Sequence, residues 1–385
     1  MFFLIVLVNF YAYGYTEMLK EKSKPYFFDE KNPDVFQDFR WPLFQCTITI
    51  VGFASAMFPD SVIKRPLPIF WRILMGIFLC YSTFMTLILI LPRDKARWMF
   101  KLFHPSNGNP LPEKNYAEDC RVFTPENPVS GMFNIYDAVY DVHFVAHLAG
   151  WWFKMMIIRD TKIAWLISGS FELIEISYRH WLENFWECWW DHMFLDLFGC
   201  NMFGIILGAL TIKYIGVSRI NWVYNKPRDS VNSNENLIMR TLDKLKPGVY
   251  TTYDWNIYSS LTRYLQVSFY VFFVLSVDTL NFFMKYVLWV AADSDLLKCR
   301  VAIWGFSAIV TSKEYFEYIN DPNSNRVGPF FWLSTYTLFI EYSIWFKFRQ
   351  GMFDAAPATP WYVQGIMVTY STCFILGGLY AFYNG

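Results

Sequence analysis

The chain has 385 residues, of which 55% are hydrophobic and 21% aromatic, and its 33 basic and 33 acidic residues leave no formal net charge. Soluble domains are typically about a quarter charged, whereas charged residues make up 17% here and alternate with long apolar runs, which excludes a set of soluble domains. The balanced charge also gives no electrostatic basis for binding nucleic acid.

Ten apolar segments follow one another along the chain. A helix crosses a bilayer with ~20 mostly apolar residues, and hydrocarbon offers no partner for free backbone groups. We therefore predict an all-α, polytopic integral membrane protein with about ten transmembrane helices, forming a single membrane domain over residues 1–385. The predicted spans are Met1–Tyr15, Trp41–Met57, Phe70–Leu91, Ala138–Ile158, Ile163–Ile176, Met193–Ile215, Leu265–Ala292, Val301–Val310, Phe330–Trp345 and Val363–Tyr383.

The first segment starts at Met1 and lacks the basic region and small-residue cleavage site of a signal peptide. We interpret it as the first membrane helix. It is short for a full span, so either the helix begins at Met1 itself or an upstream stretch is missing from this sequence. Lys and Arg are nearly balanced between the two alternating sets of loops, so the positive-inside rule does not fix the orientation.

The seven cysteines are an odd number, lie mostly within apolar segments and form no CxxC pair. This pattern predicts neither a disulfide framework nor a zinc site. We expect the cysteines to pack as small hydrophobic residues.

The region of about 138–216 carries a cluster of ionisable residues, and we find nothing comparable in the other segments. A charge inside an apolar span costs ~2.5–3.5 kcal/mol on insertion scales, so the cluster predicts a catalytic core. Glu172 and Glu175 are three residues apart and share a helical face. The acidic and amide residues of this core are Glu172, Glu175, Asn184, Glu187, Asp191 and Asp196.

Five carboxylates would repel one another in a low dielectric unless a cation neutralised them. All are hard oxygen ligands, which suit Ca²⁺ or Mg²⁺. The alternative is an intramembrane salt-bridge network, but Lys154, Arg159 and Arg179 are too few to pair five acids. A di-iron or zinc site is disfavoured, because the core contains neither Glu-x-x-His pairs nor an HExxH motif.

His147 precedes the acidic segments within the same core. A single helical histidine is more often a packed residue than a catalyst, but beside a metal site it can act as a general base near neutral pH. This combination predicts phosphoryl chemistry on lipid head groups. The chain contains neither the motif of the CDP-alcohol phosphotransferases nor the His-x-Lys pattern of phospholipase D, since Leu148 and Ala149 follow His147.

Three runs, AHLAGWWFKMMIIRD, SFELIE and ENFWECWWDHMFLDLFGCN, resemble the core of eukaryotic phosphatidylserine synthases of the base-exchange type. RPLPIFWR, LNFFMK and NDPNSNRVG extend the resemblance from the second segment to the ninth. The chain departs from the family pattern without losing a proposed ligand at Ala146, Phe171, Glu183 and Met202, and in VTSKEYF, where Lys313 replaces an arginine.

The resemblance implies a multi-pass enzyme of the endoplasmic reticulum that exchanges L-serine for the choline or ethanolamine of an existing phospholipid, with Ca²⁺ and without a nucleotide. His147 matches the catalytic histidine. The five carboxylates match the calcium positions, with Asn184 close by. Lys154, Arg159 and Asn201 are candidates for substrate binding, although Lys154 and Arg159 are equally well explained as interfacial residues.

Several alternatives stay open. Arg65 is a candidate sensor of anionic product lipid, and an interfacial anchor is the competing interpretation. A cation transporter or channel would use the acidic cluster as an ion site, and a scramblase or non-catalytic calcium-binding protein would not need His147. The sequence does not identify the donor head group, separate direct displacement from a phospho-histidine route, or fix the oligomeric state, for which a homodimer is one arrangement.

Overall fold

The structure is a computed structural model that describes residues 34–63, 66–111, 119–140, 142–182, 185–215, 253–291, 294–322, 324–349 and 358–384. Within these residues all regular elements are helical. Eleven are α-helices, together with a 3₁₀ turn at Phe100–Leu102 and a π-helix at Asp191–Asn201. The α-helices are α1 Asp34–Met57, α2 Pro68–Ile90, α3 Arg93–Met99, α4 Phe133–Val139, α5 Val142–Ile158, α6 Thr161–Tyr178, α7 Met202–Ile215, α8 Leu261–Leu288, α9 Asp295–Asn320, α10 Pro329–Phe348 and α11 Trp361–Asn384.

Nine of the ten predicted spans overlap helices of this set, with different bounds, and Met1–Tyr15 lies outside the described residues. Four described helical stretches are long and apolar enough to cross a membrane, which agrees with a multi-pass membrane protein. They are Pro68–Ile90, Asp191–Lys213, Leu261–Leu288 and Trp361–Tyr383. The number of ten transmembrane helices stays a prediction.

The central helix is α8, which belongs to both main apolar cores. Phe273 and Phe283 pack in one core with residues of α2, α9 and α10. Tyr270 and Leu275 pack in the other with residues of α5, α6 and α7. Because one helix joins both cores, the segment with the acidic cluster is anchored to the rest of the bundle.

A second buried charged group joins α2, α8, α9 and α10. The Arg300 guanidinium lies 2.5 Å from a Glu341 carboxylate oxygen and donates to the Asn281 side chain at 3.1 Å. Tyr81 and Trp304 donate to the same carboxylate. Buried charges are therefore not confined to the predicted catalytic core. This second group is internally paired, as buried ions require.

The structure contains a disulfide between Cys120 and Cys188, with a Cα–Cα distance of 5.2 Å. The expectation that the cysteines pack only as small hydrophobic residues is wrong for this pair. Both lie in polar connections outside the apolar segments, and the loop with Cys120 folds over the start of the π-helix, where Trp190 Nε1 donates to the Cys120 carbonyl at 3.1 Å. The other five cysteines are free.

Helices α5 and α7 approach each other closely because α7 presents Gly204 and Gly208 to α5. A Cβ on Gly204 would lie 2.7 Å from the Leu148 carbonyl oxygen, and one on Gly208 would lie 2.6 Å from Met155 Cβ. Small residues four apart allow this kind of backbone contact between membrane helices. The contact fixes the distance between the start of α5 and the π-helix that precedes α7.

Alanine at Gly208 is expected to destabilise the fold by about 1–3 kcal/mol, because a Cβ there has no room beside Met155 or the Trp152 carbonyl. Thermal unfolding in detergent would show a lower Tm. Gly150→Ala on α5 is the matched control, since a Cβ there meets nothing within 4 Å. Equal Tm values for the two variants would contradict the packing argument.

Candidate active site

Helices α5 and α6, the loop before the π-helix and the π-helix itself converge on one buried polar site. Helix α6 begins after Asp160, whose carboxylate accepts hydrogen bonds from Lys162 N at 2.8 Å and Ile163 N at 3.1 Å. The other end of α6 carries Glu172 and Glu175, both only 5% exposed. Both side chains of this predicted helical pair therefore lie in the interior.

The π-helix places polar residues at intervals of five. Hydrogen bonds in a π-helix run from residue i to i+5, and such segments are frequent at functional sites. Asp191, Asp196 and Asn201 are spaced at this interval within it. Because residues five apart follow one another along a π-helix, Asp196 and Asn201 both reach Glu172 and its neighbours, whereas an α-helix would turn them to different sides.

His192 lies at the centre of the acidic cluster, which we define as Glu172, Glu175, Glu187, Asp196 and His192. Its Nδ1 is 3.2 Å from a Glu172 oxygen, 3.6 Å from a Glu187 oxygen and 3.9 Å from a Glu175 oxygen. Two sets of ligand atoms lie within 4.8 Å of one another, one of Glu172, His192 and Asp196 and the other of Glu175, Glu187 and His192. The end of α6, the loop that follows it and the π-helix therefore bring four of the five predicted carboxylates around His192.

Asn201 is fully buried, and its Nδ2 donates to Glu172 at 2.8 Å. This bond places Asn201 at the acidic cluster, where it orients one carboxylate. Its side-chain oxygen has no hydrogen-bond partner among the described residues. The residue therefore presents an oxygen ligand to the same site.

His147 is joined to the acidic cluster through Asp196. The His147 Nδ1 atom lies 2.9 Å from an Asp196 carboxylate oxygen. The imidazole is 38% exposed, whereas the Asp196 side chain is 13% exposed. A carboxylate that holds one ring nitrogen leaves the other available to exchange a proton, which is the arrangement of a general base.

The site contains buried polar atoms without partners in the described part of the chain, and these fit a cation. They are Glu175 Oε2, Glu187 Oε2, His192 Nε2 and Asn201 Oδ1. Even with His147 and His192 both protonated, four ionised carboxylates would leave two negative charges. Burial, followed by the Asp196 and Asp191 carboxylates, raises the pKa of Glu187 well above its ordinary value. A bound cation would relieve this repulsion.

The remaining predicted residues are less closely associated with the site. Lys154 pairs with Asp278 of α8 at 2.8 Å and lies 4.4 Å from the centre of the Trp151 ring. Arg159 follows the end of α5, twelve residues or ~18 Å of helix from His147, and stacks on Tyr253 at 4.7 Å. The structure thus does not bring Arg159 to the site.

Asp191 begins the π-helix but lies outside the two close sets of ligand atoms. Asn184 and Arg65 lie outside the described residues, so their predicted metal and regulatory roles stay predictions.

Two residues of this region were not predicted to act in it. His192 is not among the residues predicted for the metal site, yet it is central to the cluster because the π-helix turns it inward between three carboxylates. Asp278, the partner of Lys154, is an acidic residue in an otherwise apolar stretch of α8. An isolated acid in such a stretch is itself a functional signal.

The chain matches a family model described as phosphatidyl serine synthase over residues 66–349. It is 36% identical over 299 residues to CDP-diacylglycerol–serine O-phosphatidyltransferase 1 of Arabidopsis thaliana. The aligned residues cover 77% of this chain and 69% of that relative. It is 28% identical over 371 residues to phosphatidylserine synthase 2 of Homo sapiens, which covers 96% of this chain and 71% of the relative. The chain therefore belongs to the phosphatidylserine synthase family.

Proposed function

We propose that this protein makes phosphatidylserine by calcium-dependent base exchange, in which L-serine replaces the choline or ethanolamine of an existing phospholipid. The observation that carries the proposal is the His147–Asp196 pair, 2.9 Å apart. It lies beside buried carboxylates whose oxygens lack hydrogen-bond partners among the described residues. Membership of the phosphatidylserine synthase family supports it. The endoplasmic-reticulum membrane as the site of action is part of this proposal.

His147 would act on the serine hydroxyl. Asp196 holds Nδ1 of the ring, so Nε2 would accept the hydroxyl proton as the serine oxygen bonds to phosphorus. The bond from phosphorus to the choline or ethanolamine oxygen breaks, and His147 returns the proton to that oxygen. One phosphodiester replaces another, so the exchange is nearly isoenergetic and needs no activated donor. The same histidine would be the nucleophile in a two-step route.

Glu172, Glu175, Glu187 and Asp196, with the side-chain oxygen of Asn201, would hold the calcium ion. Carboxylate and amide oxygens are the ligands that Ca²⁺ prefers. When bound, the ion would supply positive charge to offset the negative charge that the lipid phosphate gathers in the transition state. Asn201 would keep Glu172 oriented through its 2.8 Å hydrogen bond.

Some of the relatives are named for a lipid donor. The Arabidopsis relative is named for CDP-diacylglycerol, as is a relative from Oryza sativa subsp. japonica that is 34% identical over 314 residues, covering 81% of this chain and 73% of that relative. The human relative is named only as a phosphatidylserine synthase. We favour base exchange because this sequence lacks the motif of the CDP-alcohol phosphotransferases.

The deciding experiment supplies radiolabelled serine to the purified full chain in liposomes, with Ca²⁺ or with EGTA, and with one candidate donor at a time. We expect label in phosphatidylserine with phosphatidylcholine or phosphatidylethanolamine, only with Ca²⁺, and matched by release of choline or ethanolamine. Label that requires CDP-diacylglycerol would refute base exchange. Cation flux without any lipid product would move the assignment to an ion transporter.

A further inference from the structure

A cavity separate from the acidic cluster lies between α1, α2, the end of α8 and the start of α9. Its volume is about 240 Å³. The walls are mainly apolar and include Phe84, Phe103 and Leu288, and none of the cluster residues lines it. The cavity is therefore a separate candidate binding site that plays no part in the proposed exchange reaction.

Lys285 lines this cavity and forms no ion pair or hydrogen bond with another described side chain. Its Nζ atom lies 5.8 Å from the centre of the Tyr286 ring, at the outer limit of a cation–π contact. Arg300 lines the same cavity but is held by Glu341 and Asn281. An ammonium in an apolar wall is costly unless it is paired, so Lys285 is the cation that an incoming anion would meet.

The depth of Lys285 in the bilayer identifies the kind of anion. Helix α8 has 28 residues, a length of ~42 Å, whereas the hydrocarbon core is only ~30 Å thick. The ends of α8 therefore reach the head-group layers. Lys285 lies in its last turn, at the level where lipid phosphates lie, while the cavity extends to Ile77 and Cys80 in the middle of α2.

We propose that this cavity binds an acyl chain of an anionic phospholipid whose phosphate contacts the Lys285 ammonium. The volume of about 240 Å³ holds part of one chain, so the rest of that chain and the second chain lie along the outer surface of the helices. A lipid of net negative charge is preferred over a zwitterionic one, because the zwitterion carries its own cation beside the phosphate. The site is independent of the exchange reaction.

Photolabelling of the full chain in nanodiscs tests the proposal with two lipids that carry the same diazirine acyl chain, a phosphatidylglycerol and a phosphatidylcholine. Cross-linked peptides are mapped by mass spectrometry. We expect labelling of peptides around Cys80 and Cys299, about tenfold stronger with phosphatidylglycerol, which corresponds to one charge-assisted hydrogen bond. Equal labelling by the two lipids, or labelling confined to other helices, would overturn the proposal.

Four variants distinguish the charge from the cavity. Lys285→Met should remove the preference for phosphatidylglycerol, and Lys285→Arg should keep it, which also guards against a folding defect. Lys298→Met is the matched control, because that exposed lysine pairs with Asp295 at 2.8 Å and does not line the cavity. Cys80→Trp should fill the cavity and lower labelling by both lipids. A preference that survives Lys285→Met, or labelling that survives Cys80→Trp, would refute the site.

Discussion

Replacing His147 with alanine is expected to lower serine exchange by about 10²–10⁴-fold, the usual contribution of a positioned general base. The imidazole is the partly exposed basic group at the acidic cluster, and Asp196 fixes its orientation at 2.9 Å. The measurement is the initial rate of serine incorporation in liposomes at saturating Ca²⁺ and donor lipid. Exchange within about twofold of the unmodified rate would remove His147 from the mechanism.

Two further variants separate a catalytic role for His147 from a structural one. His104→Ala is the control, because His104 bonds to Ser106 in the connection after α3, away from the acidic cluster, and should leave the rate unchanged. Asp196→Asn keeps the size of the side chain but alters the charge and the hydrogen bond that hold the ring. It should lower the rate while its Tm stays near that of the unmodified protein. A parallel loss of Tm and activity in both site variants would indicate a folding defect.

Replacing Glu187 with glutamine is expected to raise the Ca²⁺ concentration for half-maximal activity by at least 10–100-fold, the loss seen when even an outer partner of a metal site is removed. The Glu187 oxygen lies 3.6 Å from His192 and has no hydrogen-bond partner among the described residues, so it is available to a cation. Serine incorporation across a series of buffered Ca²⁺ concentrations measures the change. An unaltered calcium dependence would exclude Glu187 as a ligand.

Thermal unfolding gives a readout of the same variant that does not depend on activity. An ion at 100 times its Kd stabilises the folded state by ~2.7 kcal/mol, so Ca²⁺ should raise the Tm of the unmodified protein. Glu187→Gln should lose most of this shift, yet without Ca²⁺ it should be as stable as the unmodified protein or more so, because one repelling charge is gone. Glu314→Gln is the control, since this buried glutamate accepts from Phe331 N at 2.9 Å outside the cluster and should retain the calcium shift.

The helices were largely predictable because apolar runs in a membrane protein are long and uninterrupted. The prediction of Val301–Val310 was nevertheless too short, since α9 extends over Asp295–Asn320. Arg300 of this helix is buried because it pairs with Glu341. Glu314 is buried because its carboxylate accepts a hydrogen bond from Phe331 N in the first turn of α10. A prediction from hydropathy therefore stops at these polar residues, whereas the helix continues because tertiary contacts stabilise them.

The composition of the acidic cluster was predictable, but its arrangement was not. Residues were assigned to helical faces with the period of an α-helix. Nothing in the sequence predicts the π-helix that turns His192 and Asn201 toward Glu172. The Cys120–Cys188 pair was missed for a similar reason, because 68 residues separate the two cysteines and only the folded loops bring them together.

The disulfide also gives the molecule a direction. Disulfides persist in oxidising compartments and are rare in the reducing cytosol. Cys188, which is bonded to Cys120, directly follows Glu187 of the acidic cluster in the chain. We therefore expect the end of the bundle with His147 and the acidic cluster to face the oxidising side of the membrane, an orientation that the Lys and Arg counts left open. Under the proposed reaction, serine and calcium must be drawn from that side. Newly made phosphatidylserine then begins in that leaflet and must cross the bilayer before the cytosolic leaflet can receive it.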